Sequence, residues 1–198
     1  ADRYGVPRLA YLNKMDRPGA SFERSLDSIR EKLKGRPVPV TIPWGMDTAR
    51  RGVIDLLSMR LLRFEGEEGE QVVDAEIPPD AADEAQIYRE ALVEAASEFS
   101  DEVLSAALEG KPVALPALKA ALRKCTLAGK IQPAYSGSSL HNLGVQPVID
   151  GVTDFLPAPP DVPTVTGKEP ESERPVTLDL RKDKTLCALA FKTATDKH

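Results

Sequence analysis

The stretch Leu9-Ala10-Tyr11-Leu12-Asn13-Lys14-Met15-Asp16-Arg17-Pro18-Gly19 decides the fold. Its first four residues are apolar and follow Val6-Pro7, as in a strand of a parallel sheet buried on both faces. The polar tetrad Asn13 to Asp16 ends the strand, and Pro18-Gly19 marks a loop. Phe22, Leu26, Ile29 and Leu33 then recur at offsets of four, three and four, which puts them on one helical face. Ser21 is the expected N-cap and Gly35 the expected stop. Strand, loop and amphipathic helix in that order form the βα unit of an α/β fold.

Ligands of open α/β sheets bind at the carboxyl ends of the strands, which is where Asn13 to Asp16 falls. A carboxylate at Asp16 would accept from both the ring N–H and the exocyclic amine of guanine. Adenine presents no such pair of donors, and a site built around a buried acceptor rejects a base that cannot donate to it. The Lys14 stem can lie along the base with its ammonium near the sugar oxygen. The Asn13 amide can hydrogen-bond the base and brace the loops. The same four letters also fit a charged βα turn in which Asp16 caps the helix or opens the turn before Pro18. On the tetrad alone both readings stand.

A second βα unit follows much later. Ile131 to Tyr135 reads as a strand, Ser136-Gly137-Ser138-Ser139 as a polar turn, and Val145, Val148, Ile149, Val152 and Phe155 as one helical stripe that Pro157 ends. Small residues let backbone N–H groups approach a ligand closely, so the turn through Leu140 is a candidate second contact for a base. An ordinary Ser/Gly turn has the same composition.

Between the two units lies a segment of different character. Val38, Val40 and Ile42 alternate with Pro39, Thr41 and Pro43, as in an edge strand. Gly52 to Leu56 and Arg60 to Phe64 read as short strands, with Glu65 to Glu70 as a solvated acidic turn. Ile87, Ala91, Ala95 and Phe99 predict one helix over Asp83 to Leu108, and a second is expected from Pro116 to about Ala128. These make a small α+β insert, within which Trp44 and Phe64 are expected to pack. Arg50 and Arg51 are either an RNA contact or simply solvated. After the second unit, Ala158 to Pro175 is linker-like. Val176 to Leu180 and Leu186 to Thr193 are expected to be strands of a further β domain.

The composition sets outer limits. A net charge of −5 gives no general affinity for nucleic acid or anionic membrane. No apolar run approaches the roughly 18 residues needed to cross a bilayer. Cys125 and Cys187 are far apart with no metal-ligand spacing, so no zinc site is expected and a reducing compartment is the simpler reading. Cys125 is read as a small buried hydrophobe. Both ends of the chain read as cut, so a fragment of a longer protein is expected.

Asn13 to Asp16, the run Gly137-Ser138-Ser139-Leu140-His141-Asn142-Leu143-Gly144-Val145-Gln146-Pro147, and Asp154-Phe155-Leu156-Pro157-Ala158-Pro159 resemble the elongation factor G family of translational GTPases. The resemblance covers nearly the whole chain. It implies the C-terminal part of a P-loop GTPase domain with an α+β insert, followed by the start of a β-barrel domain. Residues 1–37 would be the second half of the G domain, 38–128 the insert, 129–158 its last βα unit, and 159–198 the linker and first barrel strands. It also implies that Asn13, Lys14 and Asp16 bind the guanine base and that Ser138, Ser139 and Leu140 form the second base-contacting loop. Ser139 stands where the family usually has Ala. His141 stands where it often has Lys, and a solvent-facing histidine is expected.

The resemblance further implies GTP or GDP as ligand and the ribosome as partner, through ribosomal RNA and the stalk proteins that bind the insert. A monomer with no membrane association follows from it. Gly19 to Phe22 and Ser28 to Leu33 look closer to the second mitochondrial paralogue of the family. That similarity implies ribosome recycling rather than translocation, ribosome recycling factor as a further partner, and the mitochondrial matrix, or the cytoplasm if the source is bacterial. The chain carries no Gly-x-x-x-x-Gly-Lys-Ser/Thr phosphate loop and no Asp-x-x-Gly-His segment. Phosphoryl transfer depends on positioning phosphates and Mg²⁺, so Mg²⁺ and hydrolysis are expected only with a preceding N-terminal part. The alternative reading of the chain is a non-enzymatic module that binds ribosomal stalk proteins, or a non-functional truncated product.

Overall fold

The structure is a computed structural model that describes residues 1–45, 52–162, 164–169, 172–179, 182–183 and 192–193. The Arg50-Arg51 pair, Cys187 and most of the strand expected over Leu186 to Thr193 lie outside the described residues. The chain divides into two compact units, 1–156 and 157–198.

The first unit is built on two sheets. One is parallel, in the order β1 (Ala10–Leu12), β7 (Gln132–Ser136), β2 (Pro37–Pro39). The helix α1 (Phe22–Leu33) joins β1 to β2. Its N-cap is Ser21, whose Oγ accepts from the Arg24 N–H at 3.2 Å. The left-handed residue that ends it is Lys34 (φ 53°), not Gly35. Gly35 has another task. A Cβ there would meet Gln132 Oε1 at 2.8 Å, so its bare backbone lets Gln132 reach Arg36 N–H at 2.6 Å. Phe22 and Leu26 are buried as expected, whereas Leu33 is exposed.

The second sheet is antiparallel, in the order β3 (Thr41–Trp44), β4 (Gly52–Asp55), β5 (Arg60–Glu65), β6 (Gln71–Ala75). The boundary expected at 37/38 therefore runs through β2. The crossing between sheets comes at Val40, whose N–H donates to Ala134 O at 2.7 Å while its carbonyl accepts from Leu56 N–H at 2.9 Å. β2 and β3 each stand at an end of their sheet's strand order, the edge placement expected of this segment, yet residues 37–42 are all buried. Both faces are covered because the two sheets meet here.

The single helix expected over Asp83 to Leu108 is two, α2 (Pro79–Ser97) and α3 (Asp101–Leu108). Ser100 makes the break by capping α3 through Oγ, which accepts from Val103 N–H at 3.4 Å. The buried face of α2 carries Ala81, Ala85, Leu92, Ala95 and Ala96. Ile87, expected on that face, is 67% exposed. A strict four-residue repeat drifts around a helix of about 3.6 residues per turn, which carries Ile87 off the buried side.

The helix α4 (Leu115–Leu127) packs back against α5 (Val145–Phe155). Lys119 Nζ reaches Asp154 Oδ2 at 2.7 Å, and Arg123 Nη1 donates to the carbonyls of Asp154 (2.9 Å) and Leu156 (2.8 Å). Arg123 thus satisfies carbonyls at the C-terminal end of α5, while Lys119 pairs with the Asp154 carboxylate there. Phe155 is fully buried, while Ile149 and Val152 of the expected stripe are exposed. Gly151 gives the fully buried Tyr135 its space, since a Cβ there would lie 2.1 Å from the phenol oxygen. Burial raises the Tyr135 phenol far above its ordinary range.

In the second unit, β8 (Thr164–Lys168) and β9 (Pro175–Asp179) form an antiparallel pair. The span read as linker thus holds a strand. Its Thr, Gly and Lys residues leave β8 exposed throughout, so it lacks the apolar alternation that marks a strand.

Candidate functional site

Leu12 and Ser136 are partners at the carboxyl ends of β1 and β7. Residues 13–20 and 137–144 therefore leave the same sheet edge side by side. Their backbones are tied at the root, since Gly137 N–H donates to Leu12 O (3.1 Å) and Met15 N–H donates to Gly137 O (3.0 Å). Only a glycine fits at 137. A Cβ would lie 2.0 Å from Leu143 O and 2.6 Å from the Tyr11 hydroxyl.

The Asn13 side chain spans the two loops. Its Oδ1 accepts from Lys14 N–H (2.8 Å) and Ser139 N–H (2.9 Å), and its Nδ2 donates to Ser139 Oγ at 2.9 Å. Two backbone donors converge on one atom, which fixes that atom as the oxygen. Lys14 is held at φ 65°. This left-handed conformation is costly for a residue with a Cβ, and the hydrogen bond from its N–H to Asn13 helps hold it. The Lys14 side chain is exposed.

Ser138 is buried and exchanges both backbone hydrogen bonds with Leu143 at 2.9 Å each. Between them, Ser139 to His141 makes one 3₁₀ turn that presents Leu140 at 80% exposure. Tyr11 supports this turn from below by donating its hydroxyl to Leu143 O at 2.8 Å. Burial, and then the charge of Asp16, push the Tyr11 phenol up to about 12.

Asp16 is the half-buried acid of the site, its side chain only 13% exposed. His141 Nε2 lies 3.5 Å from Asp16 Oδ2, so this histidine faces the carboxylate as well as solvent. The structure thus brings Asn13 directly onto Ser139 and sets Asp16 beside the same turn. Tyr11 went unread in the sequence as a site residue because a tyrosine in an apolar strand reads as core. Asn142 and Gln146 were also missed. Their amides both reach Gly69 O, at 3.3 Å and 3.1 Å, and no local pattern links positions so far apart. Phe64, expected inside the insert, packs with Leu62 against Val53 and Leu143, where Met15 joins them.

Residues 1–158 match the family described as the elongation factor Tu GTP binding domain. The chain belongs to that family. Among its curated relatives, elongation factor G 1 of Geobacter sulfurreducens is 46% identical over 99% of this chain, and elongation factor G 2 of Geobacter metallireducens 43% identical over 100%. The chain spans 29% of the length of each. A crystal structure of a Thermus thermophilus protein is 27% identical with a TM-score of 0.70, covering 82% of this chain and 24% of that one. This elongation-factor-type G-domain segment resembles the elongation factor G family, as its sequence indicated. The parallel sheet, the inserted antiparallel sheet and the following strand pair are the fold expected of it.

Among the described residues, no group of three or more His, Cys, Asp or Glu side chains could hold a metal ion. No described helix is long and apolar enough to cross a membrane.

Proposed function

We propose that this chain is the guanine-reading segment of a GTP-binding translation factor that works on the ribosome. The observation that carries the reading is the joined edge of β1 and β7. Asn13 is hydrogen-bonded onto the Ser139 turn, and the half-buried Asp16 stands beside it. In this reading Asp16 accepts from the N1–H and the exocyclic amine of guanine. Lys14 lies over the base, and the Leu140 backbone N–H faces the guanine carbonyl, since the Ser138 and Ser139 N–H groups are held by Leu143 O and Asn13 Oδ1. Asn13 keeps the two loops in register, so the geometry exists before the base arrives and little ordering entropy is lost on binding.

The phosphates, Mg²⁺ and hydrolysis belong to parts of the full-length protein outside this chain. There GTP stabilises the ribosome-binding conformation and hydrolysis releases it, a shift between two populations. The insert is the surface offered to ribosomal stalk proteins, and the protein acts as a monomer. Ribosome recycling, with ribosome recycling factor as partner and the mitochondrial matrix as location, is supported by the resemblance of residues 19–33. Translocation in a bacterial cytoplasm is the second reading, favoured by the 46% identity to a bacterial elongation factor G.

The test is a competition experiment on the full-length protein. Bound fluorescent GDP is challenged with GDP, GTP or ADP. Displacement by the guanine nucleotides at concentrations at least about 100-fold below ADP is expected. Equal displacement by ADP would remove base recognition from this site.

A further inference from the structure

We infer that the hairpin loop between β5 and β6 of the insert is a brace for the base-reading turn, with Gly69 as its positioning residue. This deepens the guanine-site reading and rests on it. Gly69 contacts no residue assigned to the base. It acts through Asn142 and Gln146, which follow the Ser138–Leu140 turn directly.

Three observations converge on this contact. First, the Gly69 carbonyl accepts from Asn142 Nδ2 of the base loop at 3.3 Å and from Gln146 Nε2 in the first turn of α5 at 3.1 Å. Second, Gly69 sits at φ +66°, and a Cβ there would lie 2.8 Å from the His141 carbonyl. A backbone without a side chain is therefore needed to bring the hairpin this close. Third, the hairpin's apolar face meets both base loops at once. Phe64 and Leu62 pack against buried Val53 and Leu143, and Met15 of the Asn13–Asp16 tetrad packs into the same cluster. Leu143 is also the partner of Ser138 and the acceptor from Tyr11. Moving the hairpin would thus move the residue on which the base turn is pinned.

The consequence is a route between two surfaces. Whatever binds or strains the insert sheet acts on the lifetime of bound guanine nucleotide, with no contact to the nucleotide itself. Coupling of this kind needs a packed contact shared by both elements, and the Gly69–Asn142 hydrogen bond and the Phe64–Leu143 packing provide it.

The experiment uses the full-length protein and the dissociation rate of fluorescent GDP, measured by chase with unlabelled GDP. Gly69→Ala is expected to raise the rate roughly five- to tenfold, as for one or two lost hydrogen bonds. Gly66→Ala is the control. It strains the same hairpin at φ +96°, but its Cβ would meet only the flexible end of Glu70. Its rate should stay within about twofold of wild type, by the same scale. Phe64→Ala should accelerate release, and Phe64→Leu should restore most of the loss.

Gln146→Met removes one donor to Gly69 without backbone strain, so the idea stays testable if Gly69→Ala fails to fold. It should release GDP about threefold faster. Wild-type rates for Gln146→Met and Phe64→Ala, or equal acceleration by Gly66→Ala and Gly69→Ala, would overturn the brace. Asp16→Asn in the same assay separates the two claims. If it weakens guanine binding while Gly69→Ala and Gln146→Met change nothing, the brace alone is wrong. If Asp16→Asn leaves guanine binding intact, the base-site reading falls and the brace falls with it.

Discussion

Replacing Asn13 by Ala should weaken guanine nucleotide binding without unfolding the protein. The side chain makes three hydrogen bonds, two from backbone N–H groups of Lys14 and Ser139 and one to Ser139 Oγ. All three are exposed, so water can take over the freed groups. Each is then worth the low end of the usual range, about 0.5 kcal/mol. Lys14 is held at φ 65°, and losing its anchor releases a conformation that costs about 1 kcal/mol to hold. The sum is about 1.5 to 2.5 kcal/mol of lost preorganisation, or roughly 10- to 60-fold in affinity. Asn13→Asp keeps an oxygen for both backbone donors, and the Ser139 hydroxyl can turn to donate. It should lose about threefold or less. Isothermal titration of the full-length protein with GDP measures both, and a thermal melt checks the fold. Unchanged affinity in Asn13→Ala would refute the idea that this amide sets the loop geometry. Equal losses in Ala and Asp would refute the bond-by-bond reasoning.

Gly137→Ala should be severely destabilising, because its Cβ would lie 2.0 Å from the Leu143 carbonyl. Backbone must move and the Ser138–Leu143 pair breaks, at about 2 to 4 kcal/mol, which a melt should read as a drop of about 5 to 12 °C. Tyr11 makes stability depend on alkaline pH. Burial first, and Asp16 second, push its folded-state phenol up to about 12, above the roughly 10 of an unfolded tyrosine. The unfolded chain therefore loses this proton first. The contribution is complete below about pH 10 and is lost as pH rises toward 12. Denaturant titrations between those pH values should fall more steeply for wild type than for Tyr11→Phe, and equal slopes would count against a buried phenol. Cys125 is fully buried and its thiol is pushed up to about 11, chiefly by burial. In a Cys187→Ser background it should resist iodoacetamide at pH 8 until denaturant is added, and rapid labelling of the folded protein would contradict that placement.

The sequence was most legible where one local pattern had one physical meaning. Ser21, the Phe22/Leu26 face and the Leu9–Leu12 run each act within a few residues. The βα unit they define is the one observed, capped at Ser21. The Asn13 amide was read as able to brace the loops, and it does, because Asn-Lys-x-Asp at a strand end leaves the side chain few other partners. Elements that depend on distant partners were not legible. The strand β6 has only Val72 and Val73 between polar residues, and β5 gives it its register. The break at Ser100 is different: Ser100 before Asp101 and Glu102 is a local N-cap pattern like that of Ser21, and the four-residue repeat running across it masked it. Whether His141 points to water or to Asp16 depends on loops that come together only after β1 and β7 pair. The brace at Gly69 joins positions more than seventy apart in the chain, and nothing in a glycine-containing acidic turn announces it.

The central claim is that Asp16 reads guanine, and exchanging its donor–acceptor pattern tests it most directly. Asp16→Asn in the full-length protein puts an amide donor where guanine also offers donors. Affinity for GDP should fall by about two to four orders of magnitude, since two hydrogen bonds to a charged acceptor are lost. Xanthosine diphosphate, which carries a carbonyl where guanine has its amine, should bind the variant more tightly than it binds wild type. That crossed pattern is the predicted result. Unchanged GDP affinity, or a loss of GDP with no gain for the xanthine nucleotide in a variant that melts like wild type, would contradict it.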